Sequence, residues 1–149
     1  MHHLKALALS LSTALMLLLS PASFAEQKQT FANLDVHYIA FNSTFLTPKI
    51  ARAYKIKRSA YNALINISVL DTQQLGNPSV PATLSGSAKN LLGNVTQLEF
   101  REVKEGDAIY YLAELPFRHE ETFTFDIKIN SQGKNNKLKF VQKFYVEAD

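Results

Sequence analysis

The most constraining feature of this chain is a strict alternation of apolar and polar residues, cleanest between Thr122 and Asn130. There Phe123, Phe125, Ile127 and Ile129 alternate with Thr124, Asp126 and Lys128. Successive side chains of a β-strand point to opposite faces, so a period of two marks a strand with one buried face. The same period recurs in Leu34, Val36, Tyr38 and Ala40, and in Ala63, Ile65, Ile67 and Val69. It returns in Val80, Ala82, Leu84 and Ala88, and in a last strand carrying Leu138, Phe140, Phe144 and Val146. Val95 to Val103 and Ala108 to Phe117 flank Glu105-Gly106-Asp107, which reads as a hairpin with a short glycine-containing turn.

These segments predict seven strands, over 31–41, 61–70, 80–88, 95–103, 108–117, 122–130 and the final stretch. Glu26 to Thr30 is polar and is expected to be loose chain. Between the first two strands, Thr47-Pro48 reads as a helix start, a hydroxyl cap followed by proline at the first helical position. A short helix is predicted from Pro48 to about Tyr54. The expected fold is therefore all-β, a seven-stranded antiparallel immunoglobulin-like sandwich with one short inserted helix; a barrel is the alternative. Lys137, Lys139 and Lys143 fall on the outer face of the last strand, a common guard on a sheet edge.

The first 25 residues have a different character. A short start containing Lys5 precedes an apolar run from Ala6 to Leu19, then Pro21 and the small residues of Ser23-Phe24-Ala25. This is the three-part pattern of a cleavable signal peptide, with Glu26 as the first mature residue. A helix over the apolar run would reach about 21 Å, short of a hydrocarbon core of roughly 30 Å. The expectation is a signal peptide over 1–25, a single β-sandwich domain over 26–149, and a periplasmic location with no transmembrane segment in the mature chain. Ten Phe and six Tyr supply a core, and the absence of cysteine excludes disulfides, thiolate metal sites and a cysteine nucleophile.

Several stretches resemble a family of small exported proteins of Gram-negative bacteria, domain of unknown function 4426. They are the run from His37 to Leu46, Arg58-Ser59, Asn66 to Leu70, Asn90 to Gly93, Leu98 to Glu102, and Glu105 to Tyr111. The resemblance implies a periplasmic β-sandwich and no particular activity or site residues.

The segment 42–61 is the most unusual in composition. Lys49, Arg52, Lys55, Lys57 and Arg58 are five cations with no acid among them. Asn42, Ser43, Thr44 and Ser59 add amide and hydroxyl groups, and the helix start adds backbone N–H donors. Asn42, Ser43, Thr44, Arg52, Lys55, Lys57, Arg58 and Ser59 are therefore the candidate binding residues, for a carboxylate, a phosphate head group or an acidic partner surface. The bland reading is a solvated basic face beside a capped helix, the ordinary role of a charge run.

Other chemistry is thinly represented. His37 and His119 are the only histidines after the leader, and no local pair has metal-ligand spacing, so no metal or cofactor is expected. Ser43, Ser59 and Ser68 lie outside any G-x-S-x-G elbow. A formal net charge of +3 and export argue against nucleic acid. The favoured function is a non-enzymatic periplasmic module that contacts a protein partner or envelope component through 42–61. The alternative is a hydrolase acting on cell-envelope material, which needs a histidine within reach of a serine or carboxylate.

Overall fold

A computed structural model describes residues 26–147; the leader read over 1–25 lies outside the described residues. Among the described residues, nine strands form two antiparallel sheets. They are β1 (Gln27–Phe31), β2 (Leu34–Asn42), β3 (Asn62–Asp71), β4 (Thr83–Asn90), β5 (Val95–Leu98), β6 (Arg101–Glu105), β7 (Ala108–Pro116), β8 (Glu121–Ser131) and β9 (Lys134–Phe144). One sheet has the order β1-β2-β3-β7-β6 and the other β5-β4-β8-β9. A single 3-10 turn at Ser43–Phe45 and one helix, α1 (Pro48–Ala53), fill the connection between β2 and β3.

The all-β expectation and the inserted helix hold, but the count of seven strands does not. Two strands escaped the alternation. Gln27–Phe31 is polar because β1 is an edge strand with an almost wholly exposed surface; backbone pairing to β2 holds it, from Gln27 opposite Tyr38 to Phe31 opposite Leu34. The stretch expected as one strand over 95–103 is two. β5 pairs with β4 in one sheet, the chain crosses at Glu99 and Phe100, and β6 pairs with β7 in the other.

The alternating residues meet between the sheets. Ala63, Ile65, Ile67 and Val69 of β3 and Phe125, Ile127 and Ile129 of β8 are all buried at 1% exposure or less. Phe125 stacks on Phe140 with ring centroids 4.4 Å apart, and Phe140 meets Tyr38 of the opposite sheet at 4.7 Å. This aromatic chain links β2 to β9 across one side of the sandwich. β9 is an edge strand, and Lys137, Lys139 and Lys143 lie exposed along it as expected.

One end of the sandwich is tied by a buried carboxylate. Asp71, at the end of β3, accepts hydrogen bonds from Gln74 Nε2, Gln132 Nε2, the Gln73 backbone and Asn33 Nδ2, at 2.9 to 3.1 Å. Gln132 belongs to the β8–β9 turn, so this carboxylate joins the two sheets. These donors, led by Gln74 and Gln132, hold the Asp71 carboxyl well below its ordinary value of 3.8. A depressed folded pKa means stability that is complete above the unfolded value and lost as pH falls below it toward the folded one. Asp71→Asn should lower the urea midpoint at pH 7 and flatten its decline below pH 3.8. Parallel urea melts of parent and variant through that range check this; identical slopes would contradict it.

Candidate functional site

The 43–61 connection lies at the opposite end of the sandwich and folds back over the outer face of the five-stranded sheet. Thr47 caps α1, its Oγ1 accepting from the Ile50 backbone N–H at 3.2 Å, and Pro48 opens the helix as its sequence indicates. The helix ends at Ala53 with Tyr54 as its cap, one residue before the expected end. Lys55 then adopts a left-handed conformation, φ 55°. The Ile56 N–H returns to the Ala51 carbonyl at 2.8 Å and the Lys55 N–H to the Arg52 carbonyl at 3.2 Å. This is the paired closure of a Schellman motif. Its apolar contact is present too, because Ala51 and Ile56 are buried together with Leu64 and Leu112 of the sheet beneath.

The eight candidate residues divide by what their side chains touch. Asn42 is buried and its Nδ2 donates to the Tyr145 carbonyl at 2.6 Å, tying the end of β2 to the chain after β9. Ser43 is fully buried; its hydroxyl donates to the Ser59 carbonyl at 3.0 Å and accepts from the Ser59 N–H at 2.9 Å. Arg58 donates from Nε to the Leu46 carbonyl at 2.8 Å and from Nη2 to the Thr44 carbonyl at 3.1 Å. The planar fork of the guanidinium thus clamps the turn at 43–46, satisfying carbonyls that no regular element would serve. The Lys57 backbone N–H and Asn62 Nδ2 both donate to Glu114 Oε1, at 2.8 and 2.9 Å. Asn42, Ser43, Arg58 and Ser59 are therefore engaged in shaping the segment.

Lys49, Arg52, Lys55 and Lys57 remain exposed, and none forms an ion pair among the described residues. Two further contacts fix the helix to β6. The Tyr54 hydroxyl donates to Glu105 Oε2, and Arg101 Nη2 donates to the Tyr54 carbonyl. The bond to Glu105 raises the Tyr54 pKa above its ordinary value.

The histidines do not come together. His37 Nδ1 lies 3.6 Å from Glu26 Oε1, while His119 Nδ1 accepts from the Val146 N–H at 3.0 Å. Neither is hydrogen-bonded to a serine, and no group of three metal-binding side chains exists among the described residues. His119 does border an open cleft of about 660 Å3 at the same end as the basic segment, with Tyr61, Leu91, Leu92, Phe117 and Arg118. Leu91 and Leu92 are 81% and 88% exposed on the β4–β5 turn. Leu91 and Leu92 stand beside Gly93, which takes φ +88°, and two leucines in a turn-forming run are the sequence signal for this cleft.

Residues 28–147 match the family model described as Domain of unknown function (DUF4426). The chain belongs to the DUF4426 family. A DUF4426 family protein from Pseudomonas aeruginosa PAO1, known from a crystal structure, is 40% identical, with a TM-score of 0.72 over 83% of this chain and 97% of that one. Two structures of FetP from uropathogenic Escherichia coli strain F11 share the fold at much lower identity. A copper-bound variant matches at 12% identity and TM-score 0.57, over 80% of this chain and 95% of its own. The protein as isolated matches at 11% and 0.58, over 83% and 96%. No curated protein matches the DUF4426 chain. Among its described residues, no helix is long and apolar enough to cross a membrane.

Proposed function

We propose that this DUF4426 protein is a periplasmic interaction module, not an enzyme, that meets an acidic protein surface or an anionic envelope component through the 42–61 segment. One observation carries this reading: Lys49, Arg52, Lys55 and Lys57 stand exposed with no acidic partner among the described residues, on a short segment held by the cap, the Schellman closure and the Arg58 clamp. A charge set already held in place loses little freedom on binding. Lys55 adds support, since it occupies a left-handed position where glycine is the default.

An exported location is supported by the leader pattern. The immunoglobulin-like reading is supported by strand order: β2-β3-β7-β6 and β4-β8-β9 correspond to strands A-B-E-D and C-F-G of that topology.

Reversing three of the cations, with Arg52→Glu, Lys55→Glu and Lys57→Glu combined, tests the proposal. At about 1 kcal/mol per cation near an anionic surface, capture of the envelope component should weaken by roughly a hundredfold. Binding of the unaltered protein should also fall as salt rises from 0.1 M to 1 M, where the screening length shrinks from about 10 Å to about 3 Å. Envelope-fraction pull-downs at both salt levels measure each effect. Capture that ignores both the reversal and the salt would place the contact elsewhere.

A further inference from the structure

The β4–β5 turn holds two leucines side by side in water. Leu91 and Leu92 are 81% and 88% exposed, neither belongs to the packed core, and Val95 at the start of β5 adds a third apolar side chain at 54%. Single exposed apolar residues are ordinary, but a contiguous patch marks a surface that meets a partner or a membrane. The leucines are not needed to close the turn. Gly93 supplies the left-handed backbone and its N–H donates to the Asn90 carbonyl at 3.1 Å, while the Asn94 N–H donates to Asn90 Oδ1 at 2.8 Å. The Asn90 N–H in turn donates to the Asn94 carbonyl at 3.0 Å. With these backbone groups served inside the turn, moving its tip out of water costs less than it would for an open loop.

Cations and tyrosines surround this tip. The Lys89 side chain lies along the turn, its Cε 3.9 Å from where a Cβ of Gly93 would stand. Arg118 lines the same cleft as the leucines. Both cations are exposed, and neither forms an ion pair among the described residues. Of the two acids along the cleft, Glu121 is half-buried and accepts from Asn90 Nδ2 and the Arg118 N–H, at 3.0 and 2.9 Å; Glu120 is exposed. Tyr61, 60% exposed, lines the cleft too, and its neighbour Asn62 donates from Nδ2 to the Lys57 carbonyl at 2.8 Å, which brings the basic segment to the rim. Tyr145 meets His119 edge-on at 6.2 Å on the other side. Amphipathic tyrosines, cations on long apolar stems and protruding leucines are the residue types that settle at a membrane–water boundary.

We infer that the Leu91–Leu92 turn inserts into the surface of an anionic phospholipid bilayer, while Lys89, Arg118 and the cations of the 42–61 segment meet its phosphate head groups. The inference rests on the reading of that segment as a surface for an anionic envelope component and names the component's class; the leucine tip is its own evidence. The shape of the tip selects a bilayer over a protein surface. Side chains open on nearly every side stay largely wet against a flat, rigid partner, whereas fluid hydrocarbon closes around them and withdraws their whole area from water.

Flotation with phospholipid vesicles tests this. The full chain is expressed with its leader and the exported product is used, so that the apolar leader does not contribute. The protein should float with mixed phosphatidylcholine–phosphatidylglycerol vesicles, and bind phosphatidylcholine alone roughly tenfold more weakly. Each leucine withdrawn from water contributes about tenfold in affinity, so Leu91→Ser with Leu92→Ser should weaken binding roughly a hundredfold. The chain has no tryptophan, so Leu92→Trp gives a lone reporter. Its emission should shift to the blue on the mixed vesicles and be quenched by lipids brominated on their acyl chains. Flotation that survives the serine pair, with the reporter still in water, would overturn the insertion and leave the reading of the cations intact. Binding lost with the serine pair but kept with Arg52→Glu, Lys55→Glu and Lys57→Glu would uphold the insertion and remove the role of those cations. Absence of flotation would overturn the inference, and a dimer in sedimentation velocity that the serine pair abolishes would assign the tip to a second copy of the chain instead.

Discussion

Gly86→Ala is expected to destabilise the fold severely, although it adds a single methyl group. Gly86 lies in the interior of β4, opposite Ile127 of β8. A Cβ at this position would stand 2.6 Å from the Asp126 carbonyl oxygen and 2.9 Å from both Cα and Cγ1 of Ile127. Two of those atoms are backbone, so no rotamer change relieves the clash and β4 must move away from β8. That displacement would disturb the pairing on both sides, since Gly86 also faces Leu98 of β5. Overpacking costs about 1–3 kcal/mol where side chains can adjust; here the loss should reach or exceed the top of that range. It would then be a large share of a total stability of about 5–15 kcal/mol. Urea unfolding measures it directly. Gly106→Ala is the control: nothing lies within 4 Å of a Cβ there, and the φ of +58° leaves only a backbone penalty of about 1–2 kcal/mol. Equal midpoints for the Gly86 variant and the parent would refute the close approach.

Phe125→Ala should be nearly as damaging, by the opposite mechanism. Phe125 is fully buried, stacked on Phe140 at 4.4 Å and set edge-on to Phe144 at 6.3 Å. Its removal leaves a void that the clamped sheets cannot close. Loss of a buried Phe costs about 3–5 kcal/mol, which corresponds to a fall in Tm of roughly 10–20 °C for a chain of this size. Val141→Ala on the exposed side of β9 should change stability by less than about 0.5 kcal/mol. Thermal melts of the two variants separate core from surface; similar losses would mean that Phe125 does not hold the sheets together.

Gly86 and Phe125 also show how much of this fold the residue pattern carries. Phe125 sits in a run whose alternation gave strand, face and core position at once, because burial on one face imposes a period of two. Gly86 lay inside another alternating run, where an isolated glycine signals a close backbone approach, yet only the partner strand reveals what is approached. β1 was illegible for a different reason: an edge strand exposed on both faces has no apolar period to display. The crossing at Glu99 and Phe100 had no glycine or proline to mark it.

The candidate site was legible in outline and not in its division of labour. Lysine and arginine placed the basic segment, and Thr47-Pro48 placed its helix. Ser43, Ser59, Asn42 and Arg58 are the residue types that hold an anion, but they are equally the types that satisfy stray backbone carbonyls and N–H groups, and here they do the latter. Asn66 lies on the face of β3 opposite Ile65 and Ile67. That face became an interior once α1 packed over Leu64 and Leu112, a tertiary contact with no signature in β3 itself.

The central claim is that one end of this sandwich is the working end. Photo-crosslinking in cells tests it most directly, with the reactive side chain placed in turn at Ala53, an exposed helix position beside Arg52, and at Leu75, fully exposed in the loop after β3 at the other end. The account predicts a discrete adduct from position 53 that disappears when Arg52, Lys55 and Lys57 are reversed, and none from position 75. An adduct from position 75 alone, or one from position 53 that survives the reversal, would contradict it.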